Sequence, residues 1–138
     1  MIKVTVFTDG GARGNPGPAG VGVQILDEKN EVLSELSEYI GEATNNVAEY
    51  TAVKRALEHM QELLEDSKAV QVAINLDSQL VERQLNDAYK VKDETLKVYF
   101  DAIKGMLDEF ASVTFTHVMR EDNKEADRLA NEAIDENA

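Results

Sequence analysis

The sequence predicts an α/β fold: a five-stranded mixed sheet, three strands antiparallel and the others parallel, flanked by helices in the order β-β-β-α-β-α-α-β-α. Three observations carry this expectation. Alternating apolar runs occupy residues 2–40, and from Asn46 the apolar period lengthens to three and four residues. A β-branched run from Val70 then stops at Asp77-Ser78-Gln79. Strand, helix and strand in this order form a crossover, which sets the strand ending at Asp77 parallel to the first.

In chain order, Ile2, Val4 and Val6 alternate with Lys3 and Thr5, and the run stops at Asp9-Gly10-Gly11. This predicts a strand followed by a glycine-rich turn through Arg13-Gly14-Asn15-Pro16-Gly17-Pro18. Val21 to Leu26 and Val32 to Ile40 are two more strands of a meander, joined by the polar Asp27-Glu28-Lys29-Asn30. Val47, Tyr50, Val53, Leu57, Met60 and Leu64 form one face of a long helix. The segment after Asp77-Ser78-Gln79, through about Leu85, is helical, as is Leu96 to Phe110. Val113 to Val118 alternates as a strand, and Ala126, Leu129, Ala130, Ala133 and Ile134 make one face of a terminal helix.

With 138 residues, 43% hydrophobic and 30% charged, and with no repeat or linker, residues 1–138 are expected to form a single domain with a real core. The 14 Lys and Arg against 27 Asp and Glu leave a net charge of −13. Such a field repels nucleic acid and acidic membrane surfaces, so any binder of polyanions must act locally and with cations. No cysteine is present, which excludes disulfides, thiolate metal sites and cysteine nucleophiles and fits a cytoplasmic setting. No apolar run approaches the ~18 residues of a membrane span, and the start lacks the pattern of a signal peptide.

Two strands end in aspartate before a small residue, at Thr8-Asp9-Gly10 and Leu76-Asp77-Ser78. As parallel neighbours about 4.8 Å apart, they bring both carboxylates to the carboxyl edge of the sheet, where α/β folds bind ligands. Two like charges there need a cation. Taken singly, each aspartate is equally well read as a turn or helix cap. Glu49 falls in the first turn of the long helix, and Asn46-Val47-Ala48-Glu49 resembles a capping box, which alone would explain it. Asp127 opens the last helix at the margin of its apolar face, and a solvated helix-start aspartate is the plain alternative.

Four motifs, Thr8-Asp9-Gly10-Gly11 through Gly14-Asn15-Pro16-Gly17-Pro18, Thr44-Asn45-Asn46-Val47-Ala48-Glu49, Asp77-Ser78-Gln79 and Asn123-Lys124-Glu125-Ala126-Asp127-Arg128-Leu129-Ala130, occur in order along the chain. In these motifs, over essentially its whole length, the chain resembles a type 1 ribonuclease H. The resemblance implies a ribonuclease H-like fold and a two-metal site built from Asp9, Glu49, Asp77 and Asp127. It also implies hydrolysis of the RNA strand of RNA/DNA hybrids, giving 5′-phosphate and 3′-hydroxyl ends. By that resemblance Asp9 bridges both ions, Glu49 and Asp77 complete one coordination sphere and orient water, and Asp127 helps hold the other ion. Hard oxygen ligands favour Mg2+, with Mn2+ as substitute, over zinc. Gly10, Gly11, Asn15, Asn46 and Gln79 match the family's contacts to nucleotides, with Asn45 as an addition, although turn and cap chemistry also accounts for the asparagines.

Two departures stand out. Many relatives carry a loop histidine before the final aspartate. Here His117 alternates as a strand residue, so Arg120 is the better group to face phosphate, in an electrostatic role. The basic protrusion of some relatives is missing, leaving Arg83, Lys90, Lys92 and Lys97 as a sparse patch. His59 reads as a surface residue among acidic neighbours. The expected protein is a monomer with an RNA/DNA hybrid as its partner and no membrane. The rival reading is a nucleic-acid-binding domain that keeps the fold with little or no turnover. A sugar-kinase-like ATPase would need two such domains, more chain than 138 residues supply.

Overall fold

The computed structural model describes residues 2–137. Strands β1 (Ile2–Ala12), β2 (Gly17–Leu26), β3 (Val32–Ala43), β4 (Val70–Leu76) and β5 (Ser112–His117) pair in the order β3-β2-β1-β4-β5. The β1–β2 and β2–β3 pairs are antiparallel, and β1–β4 and β4–β5 are parallel. Helices α1 (Asn45–Leu63), α2 (Gln79–Leu85), α3 (Glu94–Met106) and α4 (Lys124–Asn137) complete the expected order of elements.

Strand β1 does not stop at Asp9-Gly10-Gly11 as its sequence suggests. It continues to Ala12, because β2 offers an antiparallel ladder that pairs Asp9 with Gly22 and Ala12 with Ala19. Its parallel neighbour β4 ends earlier, with Leu76 opposite Thr8. Asp9 therefore sits one residue beyond the parallel ladder while still fixed by the antiparallel one.

Alternation divides the sheet into two faces. Val4, Val6, Val23 and Ile25 are buried with Tyr50, Val53, Leu57 and Met60 of α1 and with Leu96 and Ile103 of α3. On the other face α4 packs across β1, β2 and β3 through Ala126, Leu129, Ala130, Ala133 and Ile134. Glycines permit the close approach of these helices, most tightly at Gly10 and Gly22. A Cβ on Gly10 would lie 2.1 Å from the Ala48 carbonyl oxygen of α1, and one on Gly22 would lie 2.1 Å from the Ala126 carbonyl oxygen of α4.

Three further expectations change in detail. Helix α1 is capped by Thr44, whose Oγ1 accepts from the Val47 N–H, and not by an Asn46 capping box; Glu49 consequently lies in the second turn. Helix α3 ends at Met106 rather than Phe110, because the chain tightens into a single 3-10 turn and then extends so that Ala111 N–H can donate to Val70 at the start of the β4–β5 ladder. His59 is half-buried, not a surface residue, since its Nε2 lies 2.7 Å from Ser34 Oγ on β3. His117 is the last residue of β5, as its alternation predicts. Among the described residues no helix is long and apolar enough to cross a membrane.

The two kinds of glycine give opposite expectations. Gly22→Ala should destabilise the fold by about 2 kcal/mol or more, since backbone of α4 must move to admit the methyl group. Gly105→Ala, inside α3 with nothing within 4 Å of the added carbon, should stabilise it by about 0.5 kcal/mol. Denaturant unfolding of the two variants beside the parent chain checks both signs.

Candidate functional site

Asp9, Glu49 and Asp77 each place a carboxylate oxygen so that all three lie within 4.8 Å of one another. Each arrives from a different element for a local reason. Asp9 projects where β1 outruns β4. Asp77 follows β4 directly, and the cap of α2 is Ser78, which accepts from the Val81 N–H, so Asp77 is free of capping duty. Glu49 comes from α1, which Gly10 allows to sit against β1, and its Oε1 accepts from the Gly10 N–H at 3.3 Å.

Asp127 lines the same cleft, of about 460 Å³, but lies outside the three-way cluster. It stands on the first turn of α4, half-exposed. Asn123, just before that helix, is 1% exposed and donates from Nδ2 to the Thr8 carbonyl at 2.9 Å, tying the start of α4 to β1 beside Asp9. The sequence reading did not single out Asn123 or Gly22, although both hold Asp127 in register with Asp9.

The remaining candidates divide between two neighbouring clefts. Gly10, Gly11, Asn46 and Arg120 line the first with the acids. Asn15 lines a second, of about 440 Å³, which shares Asn45 and Asn46 with the first. Asn45 is a structural tie: its Oδ1 accepts from the Ala12 N–H at 2.8 Å and its own N–H donates to Asn15 Oδ1. Gln79, exposed as the first residue of α2, lines neither cleft, and nor does His117. Arg13, Ser78 and Asn131, which the sequence did not mark, also border the first cleft.

The cluster is electrostatically strained as it stands. Burial pushes the Asp9 carboxyl up to about 7 from an ordinary 3.8, with the Asp77 and Asp127 charges adding to the rise and a hydrogen bond with Glu49 opposing it. Burial, then the Asp9 charge, raises Glu49 well above the usual carboxylate range. Glu49 Oε2 is buried without a hydrogen-bond partner. Among the described residues no Lys, Arg or His forms an ion pair with Asp9, Glu49 or Asp77. A set of hard oxygen donors with an orphaned oxygen and no neutralising side chain fits divalent ions of the Mg2+ class.

The family described as reverse transcriptase-like matches residues 7–133. The chain is 40% identical to ribonuclease HI of Halobacterium salinarum over 97% of its own length and 65% of that protein. It is also 40% identical to a bifunctional protein of Mycobacterium tuberculosis over 97% of its length, but it spans only 36% of that relative. Among solved structures it is similar to a ribonuclease H1 isolated from compost by a metagenomic approach. The TM-score is 0.93 and the identity 51%, covering 99% of this chain and 98% of that one. The compost enzyme has also been solved in complex with an RNA/DNA hybrid, and that structure matches with a TM-score of 0.92 at 50% identity over 96% of this chain and 97% of that one.

Asp9 binds its proton more tightly in the folded chain than its ordinary value allows. Its contribution to stability is therefore complete below pH 3.8 and is lost as the pH rises through about 7. With a chelator present, Asp9→Asn should raise the thermal midpoint by several degrees at pH 8, and this gain should shrink steadily towards pH 4. Thermal unfolding across that range checks the trend.

Proposed function

This chain belongs to the type 1 ribonuclease H family, and from that premise we propose that it is an endoribonuclease hydrolysing the RNA strand of RNA/DNA hybrids. The observation that carries this reading is the convergence of three carboxylates from β1, α1 and β4, with a fourth on α4 lining the same cleft. Asp9, Glu49 and Asp77 would hold one Mg2+ and Asp9 with Asp127 a second, Mn2+ being the substitute. When bound, such a pair supplies the charge that activates water and steadies the departing 3′ oxygen, leaving 5′-phosphate and 3′-hydroxyl ends.

The chain's own residues supply orientation. Glu49 and Asp77 orient the attacking water; the buried Oε2 of Glu49 has no other partner. Arg120, on the rim of the cleft, has only donors and remains charged at working pH, so it draws the scissile phosphate inward without exchanging a proton. Gly10 contributes clearance, since its N–H is already committed to Glu49. Gly11 leaves room for a close backbone approach. Asn46 borders both clefts and Asn15 only the second, so their amides are suited to the 2′-hydroxyls and sugar edges of a duplex lying across the two. Gln79 would extend this row at its exposed end.

Grip on the duplex is sparse. Arg83 lies 3.5 Å from Glu82, and Lys97 pairs with Asp101 at 2.9 Å. Lys90 and Lys97 share a small cleft with Tyr89, while Lys92 is simply exposed. A chain of net charge −13 with these few cations binds a polyanion through local contacts. We read the working form as a monomer in a reducing cytoplasm, consistent with the absence of cysteine.

Cleavage of an end-labelled hybrid in Mg2+ or Mn2+ is the direct test. Asp9→Asn and Asp77→Asn should each abolish turnover, since each removes an ion ligand, with circular dichroism unchanged. Near-normal cleavage by either variant overturns the site, whereas hybrid binding without turnover by the parent chain favours the rival reading of a binding domain. Affinity should be weak and should fall steeply between low and physiological salt in a filter-binding titration.

A further inference from the structure

Asp127 is half-exposed on α4 and lies outside the three-carboxylate cluster. One turn along the helix, Asn131 restrains it. The Asn131 Nδ2 donates to the Asp127 backbone carbonyl at 2.9 Å and to its carboxylate Oδ1 at 3.3 Å. The other end of the same amide, Oδ1, accepts from Arg13 Nη2 at 3.4 Å. Arg13 stands just beyond β1, and its Nη1 pairs with Asp135 Oδ1, a further turn along α4, at 2.5 Å.

The order of these groups matters more than any one bond. A free asparagine amide can turn over and exchange its oxygen and nitrogen. A guanidinium only donates and an ionised carboxylate only accepts, so an amide between them has one satisfactory orientation. Arg13, itself fixed by Asp135, sets the Asn131 oxygen on its own side and leaves the amide hydrogens facing Asp127. The helix thus carries acid, amide and acid one turn apart, with the arginine of the β1–β2 turn drawn against the last two.

We propose that Asn131, braced by Arg13, is a positioning residue that holds the Asp127 carboxylate in the direction needed to take up a divalent ion. This deepens the nuclease reading and rests on it. Asn131 and Asp135 are exposed, and hydrogen bonds and ion pairs at such positions add little to stability. Their effect should therefore appear in ion binding rather than in the fold. Groups that orient a metal-binding carboxylate typically influence affinity by about tenfold or more.

The test titrates Mg2+ alone into the full, metal-free chain and follows the thermal midpoint, with no nucleic acid present. Asn131→Ala should leave the metal-free midpoint unchanged or slightly raised, because alanine is the better helix former. It should raise the Mg2+ concentration for the half-maximal shift by about tenfold, and the Mg2+ needed for half-maximal cleavage in parallel, with KM for the hybrid unaltered. Arg13→Ala should loosen Mg2+ in the same sense. Simple electrostatics predicts the reverse, since a positive charge is lost from the cleft. Tighter Mg2+ binding in Arg13→Ala overturns the brace, and an unchanged Mg2+ midpoint in Asn131→Ala overturns the positioning role. If the parent chain and Asn131→Ala both respond normally to Mg2+, this inference alone falls. If the parent chain shows no response to Mg2+, the nuclease reading falls with it.

Discussion

Burial of carboxyl groups packed together at the edge of one sheet is the constraint that the rest of the structure is arranged to withstand. Asp9 and Glu49 are 7% and 8% exposed, and neither is neutralised by a basic side chain among the described residues. What holds them together is hydrogen bonding that involves the backbone: the β1–β2 ladder behind Asp9, the Gly10 N–H donating to Glu49, and the Asn123 side-chain amide donating to the Thr8 carbonyl. Packing of α1 over Gly10 and of α4 over Gly22 sets the approach of the helices that carry Glu49 and Asp127. Hydrophobic burial beneath α1 supplies the stability against which this strain is held.

The same arrangement resolves an apparent conflict in the charge of the molecule. A net charge of −13 repels any nucleic acid at long range. Such repulsion is screened beyond about 8 Å at physiological salt, while the cleft presents Arg13 and Arg120 beside the acids. Some of the acidic residues elsewhere are engaged with cations on the same surface, as in Arg128 with Glu35, Glu125 and Glu132 and Arg55 with Glu38 and Glu58. The long-range field and the local chemistry are thereby separated.

Much of this was legible in the sequence, for physical reasons that also explain what was not. A change of apolar period at a helix and strands ending in aspartate are signals local to a few residues, and so the order of elements and the edge position of Asp9 and Asp77 could be read directly. The extension of β1 to Ala12 could not, because it depends on β2 continuing to pair, a property of another segment. Gly22 looks like an interruption in an apolar strand until α4 is seen to lie across it. Asn46 spaced from Glu49 imitates a capping box, and only the conformation of Thr44 shows which residue caps. Asn131 reads as one more polar residue on a solvated face, since its partner Arg13 comes from the far end of the chain.

That the acids come from four separate elements has a consequence for how the molecule acquires its shape. An extended or partly collapsed chain cannot gather positions 9, 49, 77 and 127, so it offers a divalent ion only scattered, weak carboxylates. A ligand that engages one state and neglects the other shifts the balance between them in proportion to its free concentration. A divalent ion held by these acids would therefore add to the stability of the finished molecule without helping the chain to reach it.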